Sequence, residues 1–372
     1  MSFDYIICGS GISGSYLAYS LSTTLLSKSR SILILDSRSL TEREESKKNL
    51  SFWSKDTFPF SKYAEKTWSK ISLYNDTNSL TTSLDTYRYY SITEGILQKS
   101  MWGIVNSNHK ICFKKEHIVE ICNESDLGCV KTNSETYYAP YIFDSVSLPT
   151  TKEKQSSMRG KSWRISFDKP AFDEESVTFM DFRTLTTKEL MFFYILPISR
   201  TRGVIEVAHF AHPNGQRQNY ELLLRRYLSI VFPEKEYTLY ENKGAKNDYA
   251  LFIPKIRKKK SIIRIGRAAG LIKPTSGFGV IKIFQDTRKL VHALNNDLPI
   301  PEIYSGIPYW LSDLCMSYMT AHKGVNSSFF MELFRNYSAD TVLSFLNEEA
   351  SAGDLSKLIR VPVSLIFSKM YP

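Results

Sequence analysis

FDYIICGSGISG, residues 3–14, is the stretch whose reading decides the fold. FDYIIC is a short apolar run of strand character, and glycines follow it at 9, 11 and 14. The next residues suit a helix, with Leu17, Leu21, Leu25 and Leu26 among its apolar positions, and a second strand-like run, SILILD, ends at Asp36. A strand, a glycine loop, a helix and a strand closing on an acid make up a dinucleotide-binding unit. Gly9 permits the tight turn. Gly11 lets backbone N–H groups approach a pyrophosphate at the helix N-terminus, and Gly14 lets the helix lie close on the strand. Asp36 stands where a carboxylate accepts hydrogen bonds from a ribose. The unit stands first in the chain, as FAD modules commonly do, so FAD is favoured over NAD by analogy.

Composition excludes several classes. The chain of 372 residues is 42% hydrophobic, enough for a substantial core in two or three domain-sized units. No run reaches the roughly 18 apolar residues that span a bilayer, and no signal sequence opens the chain, so a cytoplasmic protein is expected. The net charge of +10 concentrates only in KIRKKK at 255–260, a solvated loop or a peripheral contact with a membrane surface. That run is not interleaved with aromatic residues and no nucleic-acid motif accompanies it, so nucleic acid is not an expected partner. Cys8, Cys112, Cys122, Cys129 and Cys315 form no CxxC pair and the six histidines no HxxxH spacing, so no metal site is expected.

A second segment, IIRIGRAAGLIKPTSGFGV at 262–280, reads as a strand and a glycine-rich loop ahead of a helix whose apolar positions include 283, 290 and 294. In large flavoproteins such a segment closes over the ribityl chain and aims a helix N-terminus at the flavin. The expected class is α/β (α+β overall). An FAD-binding Rossmann-like domain spans 1–150, and an antiparallel substrate-side sheet spans 151–258. The chain returns to the FAD domain at 259–298, and a C-terminal helical cap covers 299–372. Residues 41–50 and 150–158 read as exposed linkers.

With these segments the chain resembles the bacterial flavoprotein lycopene β-cyclase family. The likeness rests on an ordered set of pieces: the loop at 9–14, FW at 52–53, GKSW at 160–163, FMDFR at 179–183, FFYILPIS at 192–199, IEVAHF at 205–210, NYELLLRRYL at 219–228 and GRAAGLIKPTSGFG at 266–279. There are departures. Gly266-Arg267 replaces a usual Gly-Asp pair, Val207 replaces a more polar residue, and ENKGAKNDYALFIP keeps Glu241 and Gly244 without the proline and hydroxyl that usually follow.

The resemblance implies an intramolecular lyase or isomerase that cyclises the end of a linear polyene without net redox change. FAD would act in its reduced form, with NAD(P)H as its reductant. It puts the proton donor at Glu206, with Asp181 as a second carboxylate that holds or relays a proton. The cofactor contacts it implies are Gly9, Gly11, Gly14, Asp36, Gly266, Pro274, Gly277, Phe278 and Gly279, and Trp163, Phe193 and Tyr194 would line the polyene pocket. Alternation in RGVIEVAHF independently puts Glu206 on one strand face with Val204, Ala208 and Phe210, an apolar setting that disfavours a charged carboxylate. Plainer readings stand beside these: Asp181 with Arg183 as a strand-end ion pair, and His209 as a satisfied structural histidine on the opposite face. A flavin monooxygenase or reductase of the same fold, or a non-catalytic flavoprotein, is the competing function.

Overall fold

The computed structural model describes residues 1–24, 29–55, 58–147, 157–185, 189–211, 218–240, 246–250, 258–273, 276–302 and 327–358. Tyr5–Cys8 and Ile32–Asp36 form as expected and pair in parallel within a six-stranded sheet. The order runs Lys258–Lys259, Ile262–Arg264, Tyr141–Asp144, Tyr5–Cys8, Ile32–Asp36, Ile111–Lys115. All pairs are parallel except the one made by Lys258–Lys259 at the edge. Ile6, Ile7, Leu33 and Ile34 are fully buried, as the continuous apolar runs of a sheet covered on both faces require. One covering layer includes the helix Ile12–Ser22, whose Leu17 and Leu21 pack against Ile7 and Ile34. The helix Val280–Asn295 joins the same core through Leu290, Val291 and Leu294.

The second layer is an eight-stranded sheet. Along its path the order is Tyr237–Leu239, Ser157–Phe167, Arg202–Ala211, Leu190–Pro197, Val177–Asp181, Lys70–Tyr74, Ser79–Ser83, and Lys246–Ala250 also pairs with Ser157–Phe167. The pairings are antiparallel apart from Val177–Asp181 beside Lys70–Tyr74, which run parallel. A boundary at residue 150 is therefore crossed. Two strands from 70–83 belong to this eight-stranded sheet, because Ile71 and Leu73 bury on its core. Residues 41–50 are likewise not a linker. Ser39 caps a short helix, Leu40–Glu44, by a reciprocal bond with Glu42, and Asn49–Ser54 is a strand. Of 150–158, Ser157 and Met158 open the strand Ser157–Phe167, and 150–156 lie outside the described residues.

The large sheet has two apolar faces. On one, Phe192, Tyr194, Val204, Ala208 and Phe210 join a core that includes Phe330, Phe334, Val342 and Leu343 of the C-terminal helices. On the other, Trp163, Phe193, Ile205 and Val207 are covered by Leu224, Tyr227 and Leu228 of the helix Tyr220–Val231. In the C-terminal region the described helices are Ser327–Asn336, Ala339–Leu346 and Ala352–Leu358, the second opened by the Ser338 hydroxyl, which accepts from the Thr341 N–H at 3.2 Å.

Candidate active site

The glycine loop adopts the geometry that its spacing implies. Gly9 has φ +95°, a left-handed conformation that a side chain would strain. A Cβ on Gly14 would lie 1.8 Å from the Gly9 carbonyl oxygen, so the helix can approach the strand only with glycine there. A Cβ on Gly11 would meet nothing within 4 Å, because Gly11 faces a cavity of about 700 Å³.

That cavity runs from the glycine loop to the eight-stranded sheet. Gly9, Gly11, Ile12 and Ser13 line one end, and Ser276, Gly277, Phe278 and Gly279 of the second glycine-rich segment line it too. Gly266 does not reach it. With φ +57°, its hydrogen-only side passes so near the helix that a Cβ would sit 2.2 Å from the Ser13 Oγ. Pro274 lies outside the described residues, as do Glu241 and Gly244.

Asp36 is buried behind the loop. Its Oδ2 accepts from the Ser10 N–H at 2.6 Å, the Ser10 hydroxyl at 2.8 Å and the Arg43 guanidinium at 2.6 Å, while Oδ1 accepts from the Arg38 N–H at 2.8 Å. Burial opposes its charge, but these donors more than compensate and hold the carboxyl below its ordinary range. Asp36 thus fixes the glycine loop and Arg43. Arg43, rather than Asp36, faces the cavity.

At the far end Glu206 lines the cavity beside Ala208, Phe210, Tyr194 and Phe192. Alternation is obeyed along Arg202–Ala211: Val204, Ala208 and Phe210 share this side, and Ile205 and Val207 take the other. Tyr194 stands directly opposite Glu206 on the neighbouring strand. Behind them Tyr89 is fully buried, and its phenol is pushed well above its usual range by burial, with the Glu206 charge adding to the effect.

Three of the expected catalytic and substrate residues lie elsewhere. Trp163 pairs with Ile205 and Phe193 with Val207, so both point to the back of the sheet. Phe193 stacks on Tyr227 at 3.9 Å between ring centres, and the Arg225 guanidinium sits over Trp163 at 5.3 Å. A register shift between Thr178 and Asp181 puts both Phe179 and Met180 on the cavity and turns Asp181 away from it. There Asp181 is fully buried, bound by Arg183 at 2.6 Å and by the Tyr227 hydroxyl at 2.5 Å. It pairs with Arg183 on the side of the sheet away from the cavity. His209, also on the back, bonds the Tyr220 hydroxyl at 2.8 Å and Glu189 at 2.9 Å, and burial lowers its pKa despite that carboxylate.

Several lining residues had no mark in the sequence: Arg38 and Arg43 after the second strand, and Phe329, Phe330 and Phe334 on the helix Ser327–Asn336. Cys122 and Cys129 also meet, directly opposite on paired strands with Glu124 beside them, but away from the cavity. The Lys131 ammonium already lies 3.7 Å from Glu124.

One buried cation supports the second glycine-rich segment. Lys273 donates to the Asn347 Oδ1 at 2.7 Å and lies 5.2 Å from the centre of the Trp53 ring, while Trp53 meets Phe278 edge-on at 4.7 Å. Burial lowers its pKa to about 7, although Glu348 and Glu349 favour the charge; Lys282 disfavours it. Between that value and the ordinary lysine range the unfolded chain binds a proton that the folded chain does not, so stability rises with pH in this window. The urea midpoint should climb from pH 7 to pH 9, and Lys273→Met should flatten that climb. An equal slope in the variant would remove Lys273 as its source.

The ordered family pieces now have their frame, a cavity shared by two glycine-rich segments and a strand-borne glutamate. The family model described as lycopene cyclase protein matches residues 4–365. The chain belongs to the lycopene cyclase family. No curated protein sequence matches it. Among solved structures it is similar in fold to a flavin-dependent brominase at 12% identity, with 100% of each chain covered and a TM-score of 0.69. A flavoprotein/dehydrogenase from Cytophaga hutchinsonii is similar at 10% identity and TM-score 0.65, covering 97% of this chain and 100% of that one. A geranylgeranyl bacteriochlorophyll reductase-like protein from Thermoplasma acidophilum is similar at 12% identity and TM-score 0.62, with 96% of each covered. Among the described residues of this lycopene cyclase family member, no helix is long and apolar enough to cross a membrane.

Proposed function

We propose that the protein is an FAD-dependent enzyme that cyclises the end group of a linear, carotenoid-like polyene without net redox change. Glu206 is the proton donor. The observation that carries this reading is the position of Glu206, a carboxyl that lines, with Phe192, Tyr194, Ala208 and Phe210, the cavity that the glycine loop also lines. Family membership supports the same reaction class.

The residues fit the cofactor. Gly11 leaves open the space that a dinucleotide needs, the N-terminus of the helix Ile12–Ser22 favours a diphosphate, and Gly277, Phe278 and Gly279 face the same cavity. Reduced FAD, with NAD(P)H as its reductant, supplies negative charge beside a developing cation when bound.

In the proposed step the Glu206 carboxyl gives its proton to the terminal double bond of the polyene, leaving a tertiary carbocation. The neighbouring internal double bond attacks that centre and closes the ring, and loss of a proton from carbon balances the one gained. Phe179, Phe192, Tyr194 and Phe278 present aromatic faces that stabilise the cation and exclude the water that would trap it. A substrate of this kind partitions into lipid, so a peripheral position on a membrane surface belongs to the same proposal.

Expression in cells that accumulate lycopene, followed by chromatography of their pigments, tests the reading. Ring-bearing carotenoids are expected. Unchanged linear pigment would overturn lycopene as a substrate, and consumption of NAD(P)H in proportion to product would favour a monooxygenase or reductase instead.

A further inference from the structure

We propose that Cys122, Glu124 and Cys129 bind one thiophilic divalent cation of the zinc type, on the three-stranded sheet formed by Ile118–Glu124, Leu127–Thr132 and Thr136–Ala139. The site is independent of the cyclase reading, because none of the three residues lines the cavity.

CNESDLGC, residues 122–129, has no CxxC or HxxxH spacing, and strand pairing supplies what the spacing lacks. Glu124 stands opposite Leu127, so Ser125 and Asp126 make a two-residue hairpin turn, with Ser125 at φ +53°. That turn fixes the register and sets Cys122 directly opposite Cys129. The two-residue period of a strand then puts Cys122, Glu124 and Cys129 on one face. The other face carries Ile121, Val130, Tyr137 and Ala139, which pack with Ile6, Leu33 and Ile142 of the six-stranded sheet. An ion held by both cysteines would therefore tie two strands of the layer that covers the nucleotide sheet.

One ligand atom from each of the three residues lies within 4.8 Å of the other two, and the Cys122 Sγ is 4.0 Å from the Glu124 Oε1. Tetrahedral zinc holds thiolate sulfur at about 2.3 Å and carboxylate oxygen at about 2.0–2.2 Å, so its ligands stand roughly 3.5–3.8 Å apart. A contraction of about 1 Å at most brings the three onto one ion. Burial, with the Cys122 thiol and the Glu124 carboxylate beside it, pushes the buried Cys129 thiol up to about 12. A divalent cation reverses that: it takes both sulfurs as thiolates, and the two displaced protons pass to solvent. Two soft thiolates favour zinc over magnesium or calcium. The Tyr138 hydroxyl, opposite Cys129 on the third strand, donates to the Glu124 Oε2 at 3.2 Å and so orients the carboxylate. The Lys131 ammonium lies 3.7 Å from the Glu124 Oε1 but has a closer partner in Glu120 at 3.1 Å, so the metal displaces it without leaving it unpaired. Three protein ligands leave the fourth position to water.

Untagged full-length protein, kept reduced with a phosphine, should be titrated with Zn²⁺ in competition with a chromophoric chelator. The wild type is expected to take one equivalent per chain. Loss of a residue that merely supports a ligand costs about 10- to 100-fold in metal affinity, so Cys122→Ser and Glu124→Gln, which remove ligands, should lose at least that. Glu124 is exposed, so its variant keeps the fold and the comparison stays open even where a cysteine variant is less stable. Cys112→Ser removes an exposed thiol on another strand and should bind as the wild type does. Co²⁺ in place of Zn²⁺ should give thiolate-to-metal charge-transfer absorption in the wild type and not in Cys122→Ser. Equal Zn²⁺ binding by the wild type, Cys122→Ser and Glu124→Gln would mean an adventitious ion only and would overturn the proposal. A wild type that takes up no Zn²⁺ while its thiols are counted as free would overturn it too, as would a Cys122–Cys129 disulfide that the phosphine leaves intact.

Discussion

Glu206→Gln is expected to abolish ring formation while the protein keeps its fold and its flavin. The amide nearly preserves the volume of the carboxyl but has no acidic proton, so loss of a positioned general acid should cost at least about 10²- to 10⁴-fold. Glu206 lies on the cavity wall, not in the packed core, and its strand is held by neighbours on both sides. Chromatography of pigments from lycopene-accumulating cells reads the activity, and the flavin absorbance of the purified variant reads the cofactor. Equal pigment conversion by wild type and variant would remove Glu206 as the donor.

Asp181→Ala is expected to act on stability and not on chemistry. Its carboxylate is fully buried, and truncation leaves the buried Tyr227 hydroxyl without its acceptor, while Arg183, about one-third exposed, can turn to solvent. The cost of breaking a buried pair, discounted for that exposure, is about 2–4 kcal/mol. Tyr227→Phe removes a single bond to the same carboxylate and should cost about 1.5–3 kcal/mol. Urea unfolding measures both. Under conditions where the Asp181 variant is folded, its pigment conversion per folded molecule should match the wild type. A selective loss of conversion without a loss of stability would return Asp181 to the chemistry.

The nucleotide half was legible because its signals are local. An apolar strand, the glycine spacing and an acid at the end of the next strand all fall within residues 3–36, and each glycine answers to one steric demand. Alternation likewise gave the side of Glu206, since a strand leaves only two choices and the neighbours of Glu206 decide between them. The same rule could not orient Asp181, because a register shift in Val177–Asp181 breaks the alternation and is invisible without the pairing partner. Trp163 and Phe193 looked like pocket residues because both faces of the sheet are apolar: one meets the cavity, and the other meets the helix Tyr220–Val231. Composition does not distinguish two buried faces. Arg38 and Arg43 were unmarked for a related reason. Their loop looks like a solvated linker until the capped helix and the following strand bring it to the cavity mouth.

Hydrogen exchange into the product tests the central claim most directly. An acid-catalysed, non-redox cyclisation takes one hydrogen from solvent and returns another for each ring closed. Turnover in D₂O with reduced flavin should therefore give a cyclic product carrying one deuterium per ring, with no stoichiometric loss of NAD(P)H. A cyclic product without deuterium, or a product heavier by a full pair of added hydrogens with matching NAD(P)H oxidation, would contradict it.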